Sequence, residues 1–326
     1  MTAAWPLGQV VSSIFAIIFF ASGVPFMLSI LVNNILPVFS VLVLGFWLGK
    51  IKLVSREEAS ALNRVAFLAL QPPLIFLLLS QVDLSSIHYL AILSYGAGQA
   101  VIFTLSFLLC RYVLGHEMME SWLLAMAMIF VNSLLYIWPI STLIYGEAGN
   151  IPIVAIVAWD AAITFAFFVI STDLLAHKTA SMAVSFKRLA KNPVLLTIIF
   201  AIIFNLSGLP LLAPIETALN FLSGATAPAT LFALGVILSA TRLMPSRTIC
   251  LLTGIKLFGL PVLVAGLLMA GNWPADWSKL LVLNAAGPAG AMPFAIAMLY
   301  GVSTARIAPI IIWTSLLSLF TLAWLA

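Results

Sequence analysis

Residues 132–139, NSLLYIWP, place an asparagine and a proline inside a long apolar stretch. A proline within a helix removes one backbone N–H and clashes with the carbonyl four residues earlier. An asparagine at membrane depth carries a polar amide that needs a partner. We therefore interpret Asn132 and Pro139 as the interruption of a membrane helix, and the rest of the chain explains why such an interruption is tolerated.

The chain is too apolar for a soluble domain. Of its 326 residues, 63% are hydrophobic and only 7% are charged, whereas soluble domains carry about 25% charged residues. We therefore expect an all-α polytopic protein in the cytoplasmic (inner) membrane, surrounded by the lipid bilayer and without a nucleic-acid partner. No spacing of cysteine and histidine suggests a metal site, so we expect no metal and no cofactor. Cys110 and Cys250 lie at helix ends that the basic residues predict to be cytosolic, where we expect no structural disulfide.

Ten stretches are long and apolar enough to be membrane spans. A helix needs about 20 apolar residues to cross a hydrocarbon core of ~30 Å. The stretches lie at approximately 29–49, 62–81, 88–110, 120–146, 150–174, 193–212, 214–240, 247–271, 278–300 and 303–325. Residues 1–26 are either an extra helix, in the membrane or in its interface, or a segment translated from an upstream start codon. Met27 opens the first good span, which favours the second alternative.

The basic residues predict the orientation of the spans. Twelve of the 14 lysines and arginines follow spans 1, 3, 5, 7 and 9 or flank the loops there, and such loops are cytosolic by the positive-inside rule. The longest loop, 177–192, is a basic cytosolic linker or a short interfacial helix. It separates two halves of five spans, residues 27–176 and 193–326.

The two halves share short motifs. Because each half has an odd number of spans, the halves have opposite topologies, as in the inverted repeats of secondary transporters. The motifs recur in the same order at separations of about 155–157 residues: ALN at 61–63 and 218–220, PPLIFLLL at 72–79 and PATLFALG at 228–235, Trp122 and Trp277, and Tyr-Gly at 145–146 and 300–301. We predict two inverted five-helix repeats.

Spans 4 and 9 are equivalent in this repeat, and both are interrupted. A broken helix presents free backbone N–H groups, which favour an anion, and an asparagine amide adds further donors. We predict a substrate-binding site for a small anion or polar solute at these breaks, formed by Asn132, Tyr136, Pro139, Asn284, Pro288 and Pro293. The alternative is a pair of kinked helices that pack through glycine and alanine.

Two ionisable residues lie deep within spans. Asp160 and Lys256 are each about 13 Å from opposite faces of the membrane, so they can pair at mid-depth. Intramembrane charges are costly and suggest function, and we predict that these two residues couple transport to an ion. Alternatively, Lys256 extends to the interface and Asp160 is a hydrogen-bonded neutral carboxyl. Gln71 and Gln99 either line the cavity or hold helices together.

These motifs together resemble the auxin efflux carrier family, which includes bacterial malonate and malate permeases. The resemblance covers about residues 27–326 and is carried by ALN and PPLIF in span 2, Asn132, Pro139 and Tyr145-Gly146 in span 4, APATLFALG in span 7 and PAGAMPFAIAMLYG in span 9. It implies ten helices in two inverted repeats, as in the bile-acid symporters. It also implies a scaffold of spans 1, 2, 6 and 7, with crossover helices 4 and 9 at an organic-anion substrate. Leu134 and Ile137 stand where members of the family often have glycine.

The sequence thus predicts a secondary active transporter of a small mono- or dicarboxylate, such as malonate or malate, working by alternating access. Protons or sodium would be the coupling ion. Both a monomer and a homodimer are compatible with the sequence. A passive channel and a sodium-dependent symporter of the bile-acid type are the alternatives. An enzyme is not expected, because the spans contain no paired catalytic carboxylates, no His-x-x-x-His motif and no Ser–His dyad.

Overall fold

The computed structural model describes residues 24–176, 190–241, 243–271 and 273–326. The segment 1–23 and most of the predicted linker, 177–189, lie outside the described residues. The main helices are α1 (Pro25–Lys50), α2 (Arg56–Ser80), α3 (Tyr89–Val113), α4 (Met118–Ile129), α5 (Ser133–Tyr145), α6 (Ile151–Ala176), α7 (Pro193–Ser207), α8 (Ala213–Leu238), α9 (Arg247–Leu268), α10 (Ala275–Ala285), α11 (Met292–Leu299) and α12 (Ile307–Leu325).

Seven of these helices, α1, α2, α3, α6, α8, α9 and α12, are long and apolar enough to cross a membrane. The helices α4, α5 and α7 are shorter and apolar. The expected all-α, multi-pass membrane protein is therefore confirmed. Predicted spans 4 and 9 are each divided, the first into α4 and α5 and the second into α10 and α11.

The bounds of two helices differ most from the predicted spans. The helix α2 begins at Arg56 rather than near 62, because Ser55 and Glu58 form a capping box in which the Glu58 N–H donates to Ser55 Oγ at 3.1 Å and the Ser55 N–H donates to Glu58 Oε2 at 2.8 Å. The helix α7 ends at Ser207 rather than near 212, because Gly208 takes a left-handed conformation with φ of 64°.

Several helices contain a wide π-helical turn just before a proline. The turns Leu31–Ile35, Ala66–Leu70, Ser133–Ile137 and Ile255–Gly259 precede Pro37, Pro72, Pro139 and Pro261. A proline clashes with the carbonyl four residues earlier, and in each case that carbonyl lies within the wide turn. Asp160 begins a further π turn, Asp160–Thr164, without a following proline. Such turns are frequent at functional sites.

Packing places the two broken helices in the interior. The largest buried apolar cluster draws residues from α3, α4, α6, α9, α10 and α12, and a smaller cluster joins α2 to α7. The helices α1 and α8 touch backbone to backbone, since a Cβ added at Gly45 would lie 2.1 Å from Phe232 O and one at Gly235 would lie 2.2 Å from Leu42 O. Small residues commonly allow such close approach between membrane helices.

Candidate functional site

The two helix breaks are hydrogen-bonded to each other. The Asn132 N–H donates to Pro288 O at 3.0 Å, and the Gly290 N–H donates to Phe130 O at 2.8 Å. Val131 and Ala289 lie opposite each other as an antiparallel bridge. Backbone groups that each broken helix leaves free are thus satisfied by the other break, which is how irregular backbone is tolerated at membrane depth.

Glycine permits this close contact between residues 130–132 and 288–290, which we call the crossing. A Cβ added at Gly287 would lie 2.6 Å from Ile137 Cδ1 and 2.8 Å from Val131 Cγ1. A Cβ added at Gly290 would lie 3.0 Å from Phe130 Cδ1. Ile137 therefore packs against a glycine in the opposite break.

The last carbonyl of the helix before each break accepts a hydrogen bond from a buried side chain. Gln99 Nε2 donates to Ile129 O at 3.2 Å at the end of α4. Lys256 Nζ donates to Ala285 O at 2.8 Å at the end of α10. The carboxyl end of a helix is partially negative and attracts donors and cations. Lys256 is fully buried, so it does not extend to the membrane interface.

Asp160 is joined to the first break through Gln99. Its Oδ1 accepts hydrogen bonds from Gln99 Nε2 at 2.8 Å and from Thr164 Oγ1 at 3.1 Å. Gln99 Oε1 in turn accepts from Trp159 Nε1 at 3.0 Å. Among the described residues, Asp160 Oδ2 has no hydrogen-bond partner. Asp160 and Lys256 do not form an ion pair with each other, since Lys256 bonds to the end of α10 and Asp160 bonds to Gln99 and Thr164.

A cavity of about 440 Å³ lies beside the crossing and is lined in part by Asn132, Ser133, Asp160 and Gly290. The first residues of α5 and α11 line the same cavity. The first N–H groups of a helix have no partner within the helix and carry partial positive charge. Two helix amino ends therefore face one space that also contains a carboxyl group.

The mouth of the cavity is polar. It is lined by Ser60, Asn63 and Arg64 of α2 and by Asn192, which caps α7. These residues adjoin the loops that are rich in lysine and arginine, so the cavity opens toward the side that the basic residues predict to be cytosolic. Gln71 lines the cavity farther inward and is half-buried.

The other predicted substrate-binding residues surround the crossing without lining this cavity. Asn284 is fully buried, and its Nδ2 donates to the hydroxyl of Tyr95 at 2.8 Å. Tyr136 is fully buried, and Pro288 contributes its carbonyl to the crossing. Pro139 and Pro293 stand in the first turns of α-helical segments.

The structure pairs Asn132 with Pro288 rather than with Asn284. The helix α4 ends at Ile129, so Asn132 lies beyond its end, whereas α10 continues to Ala285 and contains Asn284. The separation of 132 and 288 agrees with the repeat separation of about 155–157 residues.

Several polar residues at the site were not predicted. Thr164 lies one turn after Asp160, and Ser133 directly follows Asn132, so their spacing could have revealed both. Thr314 Oγ1 accepts from the Ala289 N–H at 3.1 Å. The sequence offers no signal for this contact, because Thr314 lies on the distant helix α12.

Comparisons with known proteins agree with this architecture. Residues 173–325 match the family model described as Membrane transport protein. The chain is 28% identical over 294 residues to an "Uncharacterized transporter" of Methanothermobacter thermautotrophicus, covering 89% of this chain and 95% of that protein. It is 27% identical over 304 residues to a "Putative malonate transporter" of Rhizobium meliloti, covering 89% of this chain and 93% of that protein. These matches confirm the resemblance to the auxin efflux carrier family and support a membrane transport protein of the permease type.

Proposed function

We propose that this chain is a secondary active transporter that moves a small mono- or dicarboxylate across the cytoplasmic membrane. The observation that carries the proposal is the convergence of the amino ends of α5 and α11 on one cavity, beside Asn132. Helix amino ends are ready-made sites for carboxylates. The similarity to a protein named "Putative malonate transporter" supports malonate as the first substrate to try, and the resemblance to the auxin efflux carrier family adds malate.

The cavity suits a small solute. Its volume of about 440 Å³ is within the range of roughly 300–1,000 Å³ that is usual for ligand pockets. Arg64 at the mouth adds a positive charge that attracts anions from the open side. The crossing itself closes the inner end, because Val131 and Ala289 are 2% and 1% exposed. A cavity that is open on one side supports alternating access rather than a continuous pore.

An inverted repeat would supply the second, outward-open state. Its two halves would be residues 27–176 and 193–326, joined by the linker 177–192. Gln99 and Lys256, which hold the carbonyls at the two breaks, are separated by nearly the same number of residues as the repeated motifs. This equivalence supports ten spans in two inverted repeats, with substrate at the crossing as in other secondary transporters.

Counterflow in proteoliposomes tests the proposal. Liposomes that contain the purified protein and unlabelled malonate should accumulate labelled malonate transiently, whereas a passive pore would equilibrate the label without an overshoot. Asn132→Ala should lose most of this uptake. Asn220→Ala, at an exposed position on α8, is the matched control and should behave like wild type. Absence of counterflow with malonate, malate and other small carboxylates would reject the proposal.

A further inference from the structure

We infer that the coupling ion is a proton bound by Asp160 together with the anion, and that sodium does not drive transport. This inference rests on the proposed transport of an anion. It adds which ion accompanies the anion and which residue carries that ion.

The surroundings of Asp160 suit a proton. The neighbours bonded to Oδ1 are donors, the amide of Gln99 and the hydroxyl of Thr164. The second oxygen, Oδ2, has no partner within the described residues, and Asp160 lines the cavity. A proton that enters from the adjoining cavity and binds to Oδ2 leaves the carboxyl neutral and still able to accept the two hydrogen bonds.

The surroundings do not suit a metal cation. In transporters with broken helices, sodium is coordinated by unwound backbone carbonyls and by the carboxyl ends of half-helices. Here the carbonyls of Ile129 and Ala285 already accept from Gln99 and Lys256. The carbonyls of Phe130, Asn132 and Pro288 accept from backbone N–H groups. At the second break, the side-chain nitrogen of Lys256 occupies the position next to Ala285 O that a metal cation would take.

The charges near Asp160 link the proton to the anion. Lys256 of α9, the hydroxyl of Tyr95 on α3 and Ser133 of α5 are the charged and polar groups that interact electrostatically with Asp160. The described residues of α7, Pro193–Ser207, include no titratable side chain.

When Asp160 is ionised, its charge offsets the ammonium of Lys256. When Asp160 is protonated, the site keeps one positive charge and accepts one negative charge of the substrate. Each ligand therefore strengthens the binding of the other, since such coupling is reciprocal. Anion affinity should rise as the pH falls, and one proton should cross with each anion.

The test uses proteoliposomes in which wild type has first been shown to exchange malonate. An inward acid gradient should then drive accumulation of malonate in wild type and acidify the lumen, as followed with an internal pH dye. Replacement of sodium by choline should leave the accumulation unchanged. Asp160→Asn should lose the acid stimulation, whatever its absolute rate, and Glu147→Gln, in an exposed loop, should retain it.

The inference is overturned if a sodium gradient drives accumulation, or if Asp160→Asn keeps the acid stimulation of wild type. Should Asp160→Asn fail to fold, Asp160→Glu keeps a titratable carboxyl and is expected to retain acid-driven, sodium-independent uptake. Sodium-dependent uptake by this variant would also contradict the inference that the coupling ion is a proton. Exchange without acid stimulation in wild type rejects the proton while leaving the proposed transport intact, whereas a lack of any exchange rejects the transport proposal itself.

Discussion

Asn132 donates its backbone N–H to the carbonyl oxygen of Pro288 across 3.0 Å. Because proline has no N–H, Pro288 cannot donate a hydrogen bond back to Asn132. The second hydrogen bond of the crossing instead joins the Gly290 N–H to Phe130 O. The crossing therefore depends on how closely the backbones of two distant segments approach, and the residues that permit this approach or hold its ends are the ones to change.

Gly287→Ala should destabilise the protein. The added methyl group would lie within 2.8 Å of Val131 Cγ1 and 2.6 Å of Ile137 Cδ1, and overpacking of this kind typically costs about 1–3 kcal/mol. Thermal unfolding of the purified protein in detergent measures the loss. Gly266→Ala is the control, because a Cβ at Gly266 would meet nothing within 4 Å. Equal melting temperatures for the two variants would show that the crossing is not tightly packed.

Lys256→Met should reduce stability more than Lys256→Gln. Methionine leaves the buried carbonyl of Ala285 without its donor, and an unsatisfied buried polar group costs about 1–3 kcal/mol. Glutamine provides an amide donor, as Gln99 does at the other break. Melting temperatures should therefore fall in the order wild type, Lys256→Gln, Lys256→Met. If the methionine variant is as stable as wild type, the hydrogen bond to Ala285 contributes little.

Asn284→Ala and Tyr95→Phe should not be additive. Asn284 Nδ2 donates to the Tyr95 hydroxyl at 2.8 Å, and both side chains are fully buried. Each single change removes one partner of the bond and strands the other, whereas the double change removes both. Residues in direct contact commonly show coupling energies of about 0.5–3 kcal/mol in a double-mutant cycle. Additive losses of stability would mean that the two residues act separately.

Arg64→Gln should raise the KM for the anion when substrate is supplied on the side where the cavity opens. Arg64 is exposed and lines the mouth of the cavity, so its charge concentrates anions there, and salt screens this attraction. The difference from wild type should shrink at high ionic strength. Lys50→Gln, at an exposed position at the end of α1, is the control. A salt-independent difference would point to direct contact rather than attraction at a distance.

The sequence predicted the two breaks because proline and asparagine are conspicuous in apolar runs. It did not predict which residues at the breaks face the cavity. That depends on where each helix ends, and the end of α4 at Ile129 and the end of α10 at Ala285 are set by contacts between the two breaks. Asn132 and Asn284 are the same residue type in the two interrupted spans, yet the first lines the cavity and the second bonds to Tyr95.

Asp160 and Lys256 illustrate a second limit. Their similar depths suggested an ion pair, but depth along two helices does not fix the direction of the side chains. The wide turns that contain both residues change the helical phase, and no periodicity in the sequence marks the turn at Asp160. Lys256 consequently bonds to the end of α10 and Asp160 to Gln99.

The bridge between Val131 and Ala289 also predicts that the two broken helices move together during transport. The flanking bonds make these residues a non-hydrogen-bonded antiparallel pair, for which Cα atoms lie about 4.5 Å apart, close enough for a disulfide. If cysteines at both positions were oxidised in a variant free of Cys110 and Cys250, transport should persist. Both broken helices would then be carried as one rigid body, and the sliding surface of the transport cycle would lie outside the crossing.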